Sequence, residues 1–437
     1  MEVRIGIIGL GNMGFAHARC IHEGRVRGMR LCALCDTDPG KLKKAADAFG
    51  ITAAFSDDRE LTGSGLVDAV LIATPHPLHA EMAVRAFERG LHVLTEKPAD
   101  VSVSAAQKMN EAAEKSGRVF GIMFNQRTNP LFRRARELVT GGRLGELKRS
   151  TWIVTNWYRT QGYYDSGDWR ATWAGEGGGV LINQAPHNLD LWQWICGMPV
   201  GITAFCDTAK YHDIEVEDDV AIHARYANGA TGTFLTSTGE FCGTNRLEVS
   251  GSLGKLVLEE GKLKFWQFGR DEREIRFDSG QDPGSVPVTC TEYLPEEKET
   301  GHRGILQNFA DAILQGTPLL ASGFEGIRSL SISNAAYLSQ WSGNREVPLP
   351  LCAEAFDALL RERIRASAVQ NAGKPRGKIS PGNTADLREK NGVQDTADLR
   401  EKPDAQDTAG FHGKPGTQEA AGGQPDGSYK KRWQVQW

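Results

Sequence analysis

Long apolar runs are missing from this chain, and so is any surplus of basic charge. No stretch approaches the ~20 apolar residues that a bilayer-spanning helix needs. Over 437 residues, 51 Lys and Arg face 55 Asp and Glu, for a formal net charge of −4. That balance excludes nucleic acid and membrane surfaces as main partners. No signal-like segment precedes the first apolar run at Val3, so the expected location is cytoplasmic. The eight cysteines are scattered. Cys32 and Cys35 form a CxxC, but inside a strand-like run, where an extended chain suits a dithiol redox site poorly. No second Cys/His pair lies at zinc-finger spacing. Reduced thiols and no metal are expected.

What the chain does contain begins with a nucleotide signature. Val3 to Ile8 reads as a buried parallel strand and runs into Gly9-Leu10-Gly11-Asn12-Met13-Gly14, followed by a helical segment. Gly9 permits a tight turn, Gly11 lets the backbone approach a pyrophosphate, and Gly14 allows close helix–strand packing. The helix N-terminus, at Asn12 and Met13, offers N–H groups and a positive dipole end to phosphates. A second strand ends at Asp36, whose carboxylate would accept from ribose hydroxyls and repel a 2′-phosphate. NAD is therefore favoured over NADP. The competing reading makes Asp36 part of a cap for the helix from Gly40 to Phe49.

Strands and helices keep alternating to about residue 123, as in a doubly wound parallel sheet. Thr74-Pro75 and Glu96-Lys97-Pro98 come just after strands, where such sheets collect ligands. From Leu147 six strands run in succession without crossover helices, with an Asn228-Gly229 hairpin signal. They predict a large, mostly antiparallel open sheet with one face on helices and the other against a second subunit. Asn156-Trp157 and Trp169-Arg170 bring aromatic and polar side chains together; they read either as core or as faces for a sugar ring. The expected division is 1–123, 124–370 and a tail at 371–437. In that tail Thr384–Lys390 recurs at Thr396–Lys402 with almost nothing apolar to bury, so disorder is expected.

The stretch from Gly177-Gly178-Gly179 to Asp190 is where chemistry is expected. Asn183 and His187 are four apart, which on a helix is one face. Leu181, Ala185, Leu189 and Trp192 mark another face for burial. Pro186 predicts that the helix starts late or bends. The plain alternative for His187 is a satisfied helix histidine.

Gly9-x-Gly11-x-x-Gly14, Ala73-Thr74-Pro75, Glu96-Lys97-Pro98 and Gly177-Gly178-Gly179…His187-x-x-Asp190 together resemble the Gfo/Idh/MocA family, the glucose–fructose oxidoreductase and inositol dehydrogenase group, over roughly residues 1 to 350. The resemblance implies a Rossmann domain followed by an α/β domain with an open sheet, assembled as a homodimer or homotetramer. It also implies NAD(P)-dependent oxidation of a hydroxyl on a sugar, glycoside or polyol, or the reverse reduction. By position Lys97 matches the family's active-site lysine and His187 its acid/base. Inositol-dehydrogenase-like members carry an aspartate where this chain has Asn183, which puts inositol specificity in question. On this reading Lys97 stabilises an alkoxide-like oxygen and His187 takes the proton. Asn183, Arg127, Asn156, Trp169 and Arg170 contact substrate. Gly9, Gly11, Asn12, Met13, Gly14, Asp36, Thr74, Pro75 and Glu96 hold the cofactor. C3 of a pyranoside is one candidate position. Two rivals stand beside it: glycoside cleavage by transient oxidation and elimination, and a dinucleotide-sensing regulator without catalysis.

Overall fold

A computed structural model describes residues 2–278, 280 and 286–371. The repeats expected in the tail lie outside the described residues. The N-terminal sheet contains β1 (Val3–Ile8), β2 (Met29–Cys35), β3 (Ala54–Phe55), β4 (Ala69–Ile72), β5 (His92–Thr95) and β6 (Phe120–Ile122). Their order is β3-β2-β1-β4-β5-β6 and every pairing is parallel. The helices between them are α1 (Asn12–His22), α2 (Pro39–Phe49), α3 (Asp58–Gly63), α4 (His79–Glu88) and α5 (Val103–Ser116). All four residues of β4 are buried, as a strand covered by helices on both faces must be. The winding reverses between β1 and β4, and ligands of such sheets bind beyond the strand ends at that point.

After α6 (Pro130–Thr140) comes the second sheet. Its strands are β7 (Leu147–Val154), β8 (Gly201–Thr208), β9 (Glu217–Arg225), β10 (Thr231–Ser237), β11 (Asn245–Gly251), β12 (Gly254–Glu259), β13 (Lys262–Phe268), β14 (Val288–Tyr293) and β15 (Val347–Pro348). They lie in the order β14-β13-β12-β11-β7-β10-β9-β8-β15. Only the central β7–β10 pair is parallel. The β9–β10 hairpin turns at Asn228-Gly229 as expected, with Gly229 at φ +84°. The remaining helices are α7 (Gln161–Tyr164), α8 (Pro186–Cys196), α9 (Glu272–Arg276), α10 (Gly301–Gln315), α11 (Gly326–Trp341) and α12 (Ala353–Asn371). Trp152 and Phe234 on the inner sheet face meet Phe132 of α6 and Trp192 of α8, with ring centroids 5.4 to 6.2 Å apart. The Trp192 indole N–H finds the Ser150 hydroxyl at 3.0 Å, so burying it leaves no donor unsatisfied.

Two expectations change here. Helix α8 starts late, with Pro186 in its first turn, but every one of its residues is buried. It packs against α6, α11 and β7, so no side remains for solvent. His187 lies in the first turn of this buried helix. Arg127, expected at the substrate, is instead 0 % exposed. Its Nε and Nη2 donate to the Asp190 carboxylate at 2.8 and 2.6 Å, and Nη1 donates to the Leu320 carbonyl and reaches Glu325. Burial pushes the Asp190 carboxyl up, although Arg127 pulls against it. This pair anchors α8 to the turn after β6.

Removing one member of a buried pair leaves the other charge uncompensated, which typically costs ~3–5 kcal/mol. Arg127→Met should lose stability of that order in denaturant unfolding. A loss too small to resolve would show that Asp190 and Glu325 do not depend on it.

Candidate active site

The dinucleotide half is built on the turn between β1 and α1. A Cβ added at Gly14 would sit 1.8 Å from the Gly9 carbonyl oxygen, so only glycine allows this approach of helix to strand. One added at Gly11 would meet nothing within 4 Å, leaving open space against the turn where a pyrophosphate would lie. Asn12 and Met13 open α1 and supply its first N–H groups. Asp36, at the end of β2, is held beside this turn: Oδ2 accepts from the Leu10 N–H at 2.7 Å and Oδ1 from the Asp38 N–H at 2.8 Å. Capping of α2 falls to Asp38, which accepts from Gly40 and Lys41. Asp36 joins that cap only through the Asp38 N–H, and its other oxygen serves the glycine turn. The loop and the carboxylate fit a dinucleotide with free ribose hydroxyls.

The loops after β4 and β5 form the next wall. His79 bridges them, with one ring nitrogen 2.8 Å from the Thr74 carbonyl oxygen and the other 2.8 Å from that of Pro98. Glu96 turns inward, which corrects its expected place at the cofactor. Its carboxylate takes the His17 ring nitrogen at 2.7 Å and the Lys97 N–H at 3.2 Å. Burial pushes that carboxyl up, but His17, His302 and Lys97 outweigh it and bring it down to about 2. Glu96 thus fixes the loop that carries Lys97. Lys97 itself is half-buried, and its ammonium donates to the Asn183 carbonyl oxygen at 3.1 Å. That bond joins the N-terminal sheet's loop to the segment before α8.

The facing wall is the stretch from the glycine triplet into α8. Glu217 of β9 accepts from the N–H groups of Gly179 (3.1 and 3.0 Å) and Leu181 (3.0 Å) and from the Tyr337 hydroxyl (2.7 Å). A Cβ at Gly179 would lie 2.0 Å from the Glu217 carbonyl oxygen, so the strand and the turn can meet only at glycine. Asn183 sits in the turn ahead of α8, not on it, and is bonded through its side chain to Tyr163 (3.2 Å) and Glu176. His187 lies in the first turn of α8, 4 % exposed, edge-on to Phe124 at 6.3 Å.

The aromatics divide. Trp173 belongs to the core against Tyr337 and Trp341. Trp169 stays 38 % exposed with its ring 6.3 Å from His76. Arg170 lies over the rings of Trp169 and Tyr163 and donates to the Tyr163 hydroxyl at 2.8 Å. Asn156 is exposed beside Trp157, whose indole donates to Asn188. Sequence reasoning missed Tyr163, Glu176 and His76. Burial pushes His76 down to about 3, with His79 and Lys97 adding to it. The histidine pair just after Thr74-Pro75 was the one available signal. Among the described residues no cluster of His, Cys, Asp or Glu could hold a metal, and no helix is long and apolar enough to cross a membrane.

Residues 3–124 match the model of an oxidoreductase family with an NAD-binding Rossmann fold, and residues 132–257 match the GFO/IDH/MocA C-terminal domain. The chain is 24% identical over 345 residues to inositol 2-dehydrogenase of Rhizobium meliloti, covering 78% of this chain and 97% of that protein. It is 30% identical over 287 residues to the uncharacterized oxidoreductase YdgJ of Escherichia coli, covering 64% and 75%. The crystal structure of the WlbA dehydrogenase from Bordetella pertussis, in complex with NADH and UDP-GlcNAcA, superposes with a TM-score of 0.67 at 25% identity, over 80% of this chain and all of that one. The chain belongs to the GFO/IDH/MocA family and is an NAD-dependent oxidoreductase.

Proposed function

We propose that the enzyme oxidises a secondary hydroxyl of a sugar, polyol or glycoside, or reduces the corresponding ketone, with C3 of a pyranoside the first position to examine. The observation that carries this reading is the bond from Lys97 to the Asn183 carbonyl, which holds a cation at the mouth of the nucleotide fold against the segment that carries Asn183 and, one helical turn on, His187. Bound nicotinamide supplies the hydride acceptor. Lys97 holds the substrate oxygen and stabilises its growing negative charge. His187 takes the hydroxyl proton, a task for which imidazole is suited near neutral pH. Asn183 positions the substrate, while Asn156, Trp169 and Arg170 line the approach. Gly9, Gly11, Asn12, Met13, Gly14, Asp36, Thr74 and Pro75 hold the dinucleotide. Relatives named as inositol dehydrogenases support a polyhydroxylated substrate.

We place the subunit contact on the outer face of the second sheet. Phe205, Ala221, Leu235 and Ile153 stand opposite one another in register across four strands, and Phe205 is 59 % exposed. A row of apolar side chains facing water is what a second copy would cover.

His187→Ala and Lys97→Met should each lower kcat at least ~10²-fold while cofactor affinity holds. Because both act on one oxygen, the double variant should be less impaired than the product of the singles. If His187→Ala mainly raises KM, Lys97 is the base instead. Asp36→Ala should erode the preference for NAD over NADP in kcat/KM; unchanged discrimination would contradict its role. Phe205→Asp should lower the mass measured by light scattering, and an unchanged oligomer would move the contact elsewhere. NADH should accumulate with a responsive sugar or polyol. Cleavage of a glycoside without accumulation would favour transient oxidation.

A further inference from the structure

Resting on the function proposed above, we propose that Glu176 is a positioning residue that fixes which end of the Asn183 amide meets substrate, so that the site takes a vicinal diol whose second hydroxyl is unsubstituted.

Glu176 is 1 % exposed, immediately before the glycine triplet. Its Oε2 accepts from the Ala171 N–H at 2.7 Å, and its Oε1 takes the Nδ2 donor of Asn183. A carboxylate only accepts, so while Glu176 is ionised the amide must turn Nδ2 toward it. Tyr163 stands against the same nitrogen. Its oxygen also receives a hydrogen from Arg170, which can only donate, and stands 3.2 Å from the same Nδ2. Both nitrogen-side partners are then internal. The backbone carbonyl of Asn183 is already held by Lys97. What the side chain has left is Oδ1, an acceptor that these internal bonds do not use. An acceptor there accepts a hydrogen bond from a hydroxyl; it repels a carbonyl or ether oxygen, which leaves both groups without a donor.

Protonation of Glu176 would reverse the arrangement. A neutral carboxyl can donate to Oδ1, so the amide can invert and offer Nδ2 to the substrate instead. Burial pushes this carboxyl up to about 7 and Glu217 adds to the rise, while the Ala171 N–H, Arg170 and Lys97 pull it down. His76 faces the same segment, through a ring nitrogen 3.2 Å from the Glu176 backbone oxygen. Selection for a donor hydroxyl therefore holds above that midpoint, where Glu176 is ionised, and fades below it. Where inositol-dehydrogenase-like members carry an aspartate, this chain has the amide of Asn183, with the Glu176 carboxyl against its nitrogen.

The test has two arms. In the first, kcat/KM is compared between a sugar or polyol that the enzyme oxidises and its analogue with the neighbouring hydroxyl methylated. The unmodified enzyme should discriminate by about tenfold on the alkaline side, the worth of one hydrogen bond, and less on the acid side. In Glu176→Gln the Ala171 N–H claims the new amide's oxygen, so its nitrogen faces Asn183 and inverts it. Discrimination should fall to near unity at every pH, with NAD affinity retained as the check on folding. Asn183→Ala should lose discrimination as well, and adding Glu176→Gln should change nothing further. Discrimination that survives Glu176→Gln overturns the inference.

The second arm needs no turnover. The infrared carbonyl band of protonated Glu176, assigned by its loss in Glu176→Gln or Glu176→Ala, is titrated in the unmodified enzyme and in Asn183→Leu. Removing an N–H donor from a carboxylate raises its pKa, so the midpoint should move up. A midpoint that stays or moves down overturns the inference. Inactivity toward every sugar and polyol would sink the proposed function, and the infrared arm would still decide the orientation of Asn183.

Discussion

The placement of the active-site segment depends on the buried carboxyl of Glu217. It belongs to β9, in the sheet that does not form the nucleotide fold, yet it takes the N–H groups of Gly179 and Leu181 and the hydroxyl of Tyr337. The two N–H groups are donors that a tight, buried turn would otherwise leave unsatisfied, at a cost of ~1–3 kcal/mol each. Burial pushes Glu217 up to about 7, and its donors pull against that rise. With the triplet clamped there, the chain reaches Asn183 at the Lys97 ammonium and enters α8 with His187 in the first turn. At the other end Asp190 is fixed by Arg127. The segment is anchored on both sides of its reactive groups, one anchor from the second sheet and one from the chain just after the first.

This arrangement explains why the side chains proposed for catalysis come from separate parts of the sequence. The N-terminal sheet can present Lys97 only at a strand end, because a parallel sheet buries the rest of each strand. Glu96 and His79 hold that strand-end loop from beneath. The imidazole and the amide come from a turn and a helix start, the places where backbone donors are spare and a side chain can project. Preorganisation of this kind lets a fixed cation act on a developing charge without rearranging water.

Much of this was legible in the chain itself. The Rossmann sheet announced itself through short apolar strands followed by glycine or Thr-Pro turns, and the β9–β10 hairpin through Asn228-Gly229. Other elements were hidden for physical reasons. Strand β14 is almost wholly exposed and carries no alternation to read, while β15 has two residues. Helix α6 was hidden by its arginines, which lie on one face while Leu131, Phe132, Ala135 and Leu138 bury the other. Arg127 read as a ligand contact because nothing local marks a cation as paired; its partners are 63 and 198 residues away. Glu176 and Tyr163 escaped for the same reason, since their meaning lies in contacts the spacing does not record.

The central claim is that this geometry removes hydride from a carbinol carbon while His187 removes the proton from its oxygen. It is tested most directly with a substrate deuterated at the oxidised carbon, by mass spectrometry of the reduced cofactor after a single turnover. The account predicts that NADH carries the deuterium, and that His187→Ala slows formation of that labelled product without changing where the label goes. NADH without the label, or labelled product formed at an undiminished rate in His187→Ala, would contradict it.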